Sequence, residues 1–160
     1  MAAVDYFLKL DGIKGESADS KHKDEVDVES WNWSETNAGS SVGGGRGAGK
    51  VSMQDFSFSM KVNKASPKLF AYCANGQPIA SALLTCRRAG KDQQEYLKIT
   101  FTDVLVSSYS TGGSAADVVP LEQITLCFNK IEISYAPQKN DGTLDSPIVQ
   151  SWDKVAAKLA

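Results

Sequence analysis

The chain has 160 residues, of which 42% are hydrophobic and 22% charged, with 17 Lys and Arg against 19 Asp and Glu. That length suits one domain around a single core, and the composition excludes a disordered chain; no run approaches the roughly 18 apolar residues of a transmembrane helix. A net charge of −2 speaks against a sequence-independent nucleic-acid binder, which carries a basic excess.

The first seven residues lack a basic n-region, and Asp5 interrupts any apolar stretch, so no secretory signal peptide is expected. Val4–Leu10 reads as a short strand. Residues 14–24 form a polar loop in which His22, between Lys21 and Lys23, is expected to be solvated. In the strand pattern over 24–33, Val26 and Val28 are even-numbered while Trp31 and Trp33 are odd; Asp27 and Glu29 fall on the solvated face. A loop rich in Gly and Ser over 35–49 has few side chains to pack, and is expected to order only against a partner. Over 51–60, Val51 and Met53 are odd, then Phe56, Phe58 and Met60 are even.

One helix is well marked. Ser66 is its expected N-cap, Pro67 suits the first helical position, Leu69, Phe70, Cys73 and Ala74 follow at helical spacing, and Asn75-Gly76 closes it. It plugs an open end or packs on one side of the β core. Residues 79–87 form a strand ending in a basic turn, Arg87-Arg88 with Lys91. That turn reads as a solvated hairpin, or else as half of an intersubunit charge contact. The clearest strand is 95–106, where Leu97, Ile99 and Phe101 alternate with polar residues; Val104-Leu105-Val106 is apolar on both faces, as if covered on both sides. Over 121–135, Ile124, Leu126 and Phe128 give way to Ile131, Ile133 and Tyr135. A last strand covers 147–152, and 153–160 is expected to form a frayed helical turn.

Strand side chains alternate strictly, so each change of parity requires an extra residue or a change of buried face. Three such changes in long strands point to a mostly β chain. They predict a β-barrel or orthogonal sandwich of two antiparallel sheets, with bulged long strands and one short flanking helix.

Motifs that suggest catalysis fail on context. Gly44-Gly45-Arg46-Gly47-Ala48-Gly49-Lys50 matches a P-loop, but Val51 stands where Ser or Thr would hold magnesium, and a strand pattern follows in place of a helix. Gly39-Ser40-Ser41-Val42-Gly43 matches a nucleophile elbow, yet it lies in a loop, and the single histidine, His22, precedes it. One His and scattered cysteines do not suit zinc, so no metal, cofactor or catalytic residue is expected. Cys73, Cys86 and Cys127 read as reduced core thiols; one disulfide plus a free thiol is the alternative. Trp31 and Trp33 are expected in the core. Ser30, Asn32 and Ser34 would then face outward as an uncharged polar stripe, which suits a wet surface or the lining of a channel.

These features form an ordered series. It comprises Lys14-Gly15-Glu16-Ser17, Val26-Asp27-Val28 before Trp31-x-Trp33, and the glycine loop 43–50 before Val51-Ser52-Met53-Gln54-Asp55-Phe56-Ser57-Phe58. It continues through Glu95-Tyr96-Leu97-x-Ile99-Thr100, Val106-Ser107-Ser108-x-Ser110-Thr111-Gly112-Gly113 and Tyr135-x-Pro137-Gln138. The series resembles the haemolysin-coregulated protein (Hcp) family of bacterial type VI secretion systems, over residues 3–138. The resemblance implies a single barrel domain over 1–160, similar to phage tail-tube proteins, with no enzymatic activity. It implies homohexameric rings stacked into a hollow tube, a spike protein at the tip, contractile sheath and baseplate proteins around it, and effector cargo in the lumen. The protein would reside in the bacterial cytoplasm and then be ejected without a leader, into the medium or a target cell, with neither nucleic acid nor membrane insertion involved. The extended loop Gly39, Ser40, Ser41, Val42, Gly43, Gly44, Gly45, Arg46, Gly47, Ala48 and Gly49 would lie at the ring-stacking surface, and Ser30, Asn32 and Ser34 would face the lumen. The competing reading is a monomeric ligand- or carbohydrate-binding β-barrel.

Overall fold

Strand patterning accounts for nearly all of the architecture. The structure, a computed structural model, describes residues 3–39, 49–90 and 92–160. Its elements are β1 (Val4–Leu10), β2 (Val26–Asp27), β3 (Ser30–Asn32), β4 (Glu35–Asn37), β5 (Val51–Met53), β6 (Phe56–Lys61), α1 (Ser66–Asn75), β7 (Ile79–Arg88), β8 (Glu95–Gly112), β9 (Leu121–Cys127), β10 (Lys130–Tyr135), β11 (Ile148–Asp153) and β12 (Lys158–Leu159).

All pairings are antiparallel. One sheet runs β2-β1-β7-β8-β10-β11-β12; the second runs β3-β6-β9-β8. The 18-residue β8 serves both sheets, pairing with β7 and β10 through its first half and with β9 through its second. At the opposite corner the chain passes directly from β2 to β3. The Val28 N–H donates to the Tyr6 carbonyl of β1 (3.0 Å), and the next N–H, of Glu29, donates to Ser59 of β6 (2.9 Å). The hydrogen-bonded path therefore returns to its start, in the order β1, β2–β3, β6, β9, β8 and β7, as a barrel requires.

The parity changes mark these crossings. The three long strand patterns are each broken rather than bulged. β2 and β3 belong to different sheets, β5 leaves a separate ribbon with β4 before β6 begins, and β9 and β10 lie in different sheets. Only β8 turns its corner unbroken. It does so with Asp103 at φ 55° and a register shift between Val106 and Ser108. The turn at Asp103 moves its buried set from Ile99 and Phe101 to Val104 and Val106 and leaves Leu105 partly exposed where cover on both faces was expected, and the shift after Val106 turns Ser108 and Ser110 outward.

Inside, Phe101 lies 4.7 Å from Phe56 and 4.9 Å from Phe128 between ring centroids. Each such side chain contributes about 1.5–3 kcal/mol by burial. α1 packs on β8, with Phe70 against Tyr109, Leu69 in the core and Tyr72 and Cys73 against it. Its start differs by one residue from expectation: Ala65 is the N-cap, with its N–H donating to Asn63 Oδ1 at 2.8 Å. The Ser66 hydroxyl points inward instead, where it and the Tyr109 hydroxyl both donate to the buried Glu122 carboxylate. Burial, reinforced by Glu122, pushes the Tyr109 hydroxyl up to about 12. The helix ends as expected, with Gly76 at φ 70°. The C-terminus is a hairpin rather than a helical turn. Asp153 Oδ1 accepts the N–H groups of Val155 and Ala156, and β12 returns along β11.

Candidate functional site

The second sheet turns a face of small neutral side chains away from the core. The alternation that buries Phe56, Phe58, Ile124 and Leu126 places Ser57, Ser59, Gln123 and Thr125 outward. Register aligns them in rows. Ser30 faces Ser59, which faces Gln123, which faces Ser110; Asn32 faces Ser57, then Thr125, then Ser108. The side chains bond mainly to one another: Ser30 Oγ to Ser59 Oγ at 2.6 Å, Gln123 Nε2 donating to Ser57 Oγ at 2.7 Å, and Ser108 Oγ to Thr125 Oγ1 at 2.7 Å. Ser107 joins at the bulge, bridging Thr125 and Asp55 at 2.7 Å each. Within these rows no residue is charged.

Ser30, Asn32 and Ser34 are all exposed, as expected from parity, and Ser30 and Asn32 open the two rows. Sequence reasoning missed the other members. Their signal was present as Ser57-x-Ser59 and Ser108-x-Ser110, but only register brings them beside Ser30 and Asn32. Trp31 and Trp33 are half-buried where full burial was expected. Trp31 stands edge-on to Tyr6, and Trp33 donates its indole N–H to the Gln54 carbonyl at 2.8 Å. Both pack against the core, Trp31 also against Phe56 and Trp33 against Phe128.

That ribbon, β4 with β5, carries the glycine-rich loop. Residues 40–48 lie outside the described residues; Gly39 is exposed and Gly49 half-buried. A Cβ on Gly49 would fall on the Ala38 carbonyl, so only glycine fits there. Val51 opens a strand, not the helix a phosphate loop needs.

Two other expectations are corrected. His22 is 7% exposed, not solvated: its ring stacks on Phe7 at 4.3 Å and touches carboxylates at both nitrogens. Arg87 is 3% exposed, not part of a solvated hairpin. Its guanidinium donates to both oxygens of Asp19 (3.0 and 2.7 Å) and to Asp5 (3.0 Å), and lies 4.7 Å from the Phe7 centroid. Loop 14–24 therefore folds back over β1, where Gly15 passes so close to the Glu25 carbonyl that a Cβ would stand 2.5 Å from it. All three cysteines are free; Cys86 is buried, and its thiol is pushed up to about 12 by burial alone. Among the described residues no group of His, Cys, Asp and Glu is arranged to hold a metal, and no helix is long and apolar enough to cross a membrane.

Residues 7–135 match the family described as type VI secretion system effector, Hcp. This chain belongs to the Hcp family. It is 46% identical over 154 residues to protein hcp1 of Pseudomonas aeruginosa, covering 94% of this chain and 95% of that one. The crystal structure of Hcp1 from Salmonella typhimurium superposes with a TM-score of 0.83 at 39% identity, over 99% of this chain and 100% of the other. A type six secretion system protein superposes at 0.94 with 28% identity, with the same coverage. Hcp proteins are structural and secreted, not enzymes. Family membership thus agrees with the failure of both catalytic motifs in the glycine loop.

Proposed function

We propose that this Hcp protein is the building unit of a type VI secretion tube. Six copies form a ring through a heterologous contact that closes by rotation, and rings stack into a hollow cylinder. The outer face of the β3-β6-β9-β8 sheet lines the lumen, with Ser30, Asn32 and Ser34 on the cargo side. The loop 39–49 reaches the next ring. A spike protein sits at the tip, sheath and baseplate proteins surround the tube, and effectors travel inside. The subunit is held in the bacterial cytoplasm until assembly and is then ejected.

The observation that carries this reading is the uncharged face. The hydroxyls and amides of its two rows are largely satisfied by their neighbours, and the charges lie at its margins, Asp55 bonded to Ser107 and Lys61 paired with Glu29, so a passing polypeptide meets a wettable strip with no ionic group in the rows to hold it. The test is the mass of the untagged protein by light scattering at micromolar concentration, with electron microscopy of the same sample. A mass six times that of one chain, in rings whose pore is lined by this face, is expected. A stable monomer at every concentration, or rings with this face on the outside, overturns the reading.

A further inference from the structure

The buried cluster that fastens loop 14–24 contains one histidine held between two acids. Glu25 Oε2 stands 2.8 Å from His22 Nδ1, and Glu95 Oε1 stands 2.6 Å from Nε2. A neutral imidazole has one N–H, and an ionised carboxylate can only accept. Two contacts this short therefore need a proton on each ring nitrogen; with one fewer, a lone pair would face a carboxylate oxygen.

Charged groups surround the ring from several elements. Asp19, on the same loop, accepts the His22 backbone N–H at 3.2 Å, and β1 supplies Asp5. Arg87 of β7 and Lys98 of β8, the latter 3.2 Å from Glu95 Oε2, are the cations. Lys21 and Lys23 flank the ring in sequence and are exposed. With Asp27 of β2, paired in register with Phe7 and close to Asp5 and Asp19, five carboxylates thus surround two cations that are themselves bonded to three of them. Burial raises the Glu95 carboxyl, but the bonds from His22 and Lys98 outweigh it and leave it below its ordinary value.

We infer that His22 is a proton-dependent latch: doubly protonated, it ties Glu25, at the entry to β2, to Glu95, at the start of β8, and loss of one proton releases loop 14–24 from β1. The loop leads directly into β2–β3, the corner that joins the two sheets, so the latch sets how firmly that corner is held. The inference concerns the fold of each subunit and stands apart from tube assembly.

His22 is the only histidine, so histidine labelled at ring carbon gives a single resonance from the untagged chain. That resonance reports directly whether the ring carries one proton or two. Amide exchange, corrected for its intrinsic pH dependence, is followed at Gly15, Ser17 and Asp24, whose N–H groups hold the loop closed. It is expected to quicken about tenfold once the ring signal turns neutral, with β7 amides unchanged. In Glu95→Gln the new amide can donate to a neutral ring, so the loop should stay closed and its exchange lose this step. A neutral ring signal while the loop amides stay fully protected overturns the inference, as does a step of equal size in wild type and E95Q.

Discussion

Arg87 is the residue that ties the outer faces of β1 and β7 to loop 14–24. It joins strand β7 to Asp19 of the loop and Asp5 of β1, and covers the Phe7 ring. Its Nε has no partner among the described residues, so its hold is entirely through the two terminal nitrogens. Arg87→Met keeps the apolar stem but leaves Asp19 with no cation. A loss of about 2–3 kcal/mol at neutral pH is expected in urea unfolding. The pH dependence has a definite sign. The Arg87 guanidinium holds the Asp19 carboxyl down to about 2, against an ordinary 3.8. A depressed carboxyl stabilises the fold above its unfolded value and ceases to as pH falls through the folded one. The gap between wild type and R87M is therefore full above 3.8 and narrows toward about 2. A gap constant across that range would show that Asp19 is not the partner that matters.

At the scale of elements, β8 and the β4–β5 ribbon each hold a position where backbone geometry restricts the side chain. Asp103 turns the corner of β8 at φ 55°, a conformation Asp tolerates and a β-branched residue does not. Asp103→Val is expected to cost about 1–2 kcal/mol, whereas Asp103→Gly should be neutral or mildly stabilising by thermal unfolding. Gly49→Val should disorder the ribbon, because its side chain has no room beside Ala38. Light scattering should then find ring mass unchanged while electron microscopy finds stacks lost, if the loop has the role proposed for it; loss of both would place the ribbon in the ring contact instead. Much of this level was legible in the sequence. The changes of parity at 28–31, 53–56 and 128–131 located the sheet crossings because a buried face leaves a period of two in the chain. The C-terminal hairpin was not legible. Residues 154–160 are rich in Lys and Ala, which favour helix, and pairing with β11 overrides that weak preference. Nor was the site of His22, since the local Lys21-His22-Lys23 reads as solvent-facing and Glu95 lies 73 residues away.

In the whole molecule, the two sheets share a core but differ outside it. The β2-to-β12 sheet carries Lys98, Glu132 and Lys130 among its outward residues, with loop 14–24 laid over part of it. The rows across the β3-β6-β9-β8 sheet carry hydroxyls and amides, with Lys61 and Asp55 only at their margins. That asymmetry was only partly legible: Ser30, Asn32 and Ser34 stood out because two tryptophans fixed their parity, while the rows that extend them exist only once four strands are in register. It also separates two kinds of surface substitution that composition would treat alike. Ser59→Arg puts a cation in the middle of the neutral face, opposite Ser30 and Gln123, whereas Thr100→Arg puts one on the other sheet between Leu83 and Glu132. Both positions lie on strands whose core side chains are untouched, so each variant should fold with stability within about 0.5 kcal/mol of wild type. Ring mass by light scattering should be unchanged in S59R. On the proposed tube, six added cations would encircle the lumen at one level. Their low-dielectric confinement would make them bind or repel charged cargo far more strongly than the same residues on an open surface. Export of an effector measured in culture medium should therefore fall in S59R and hold in T100R, with the S59R deficit shrinking when Ser59→Gln replaces it. Equal export from all three would remove this face from the path of the cargo.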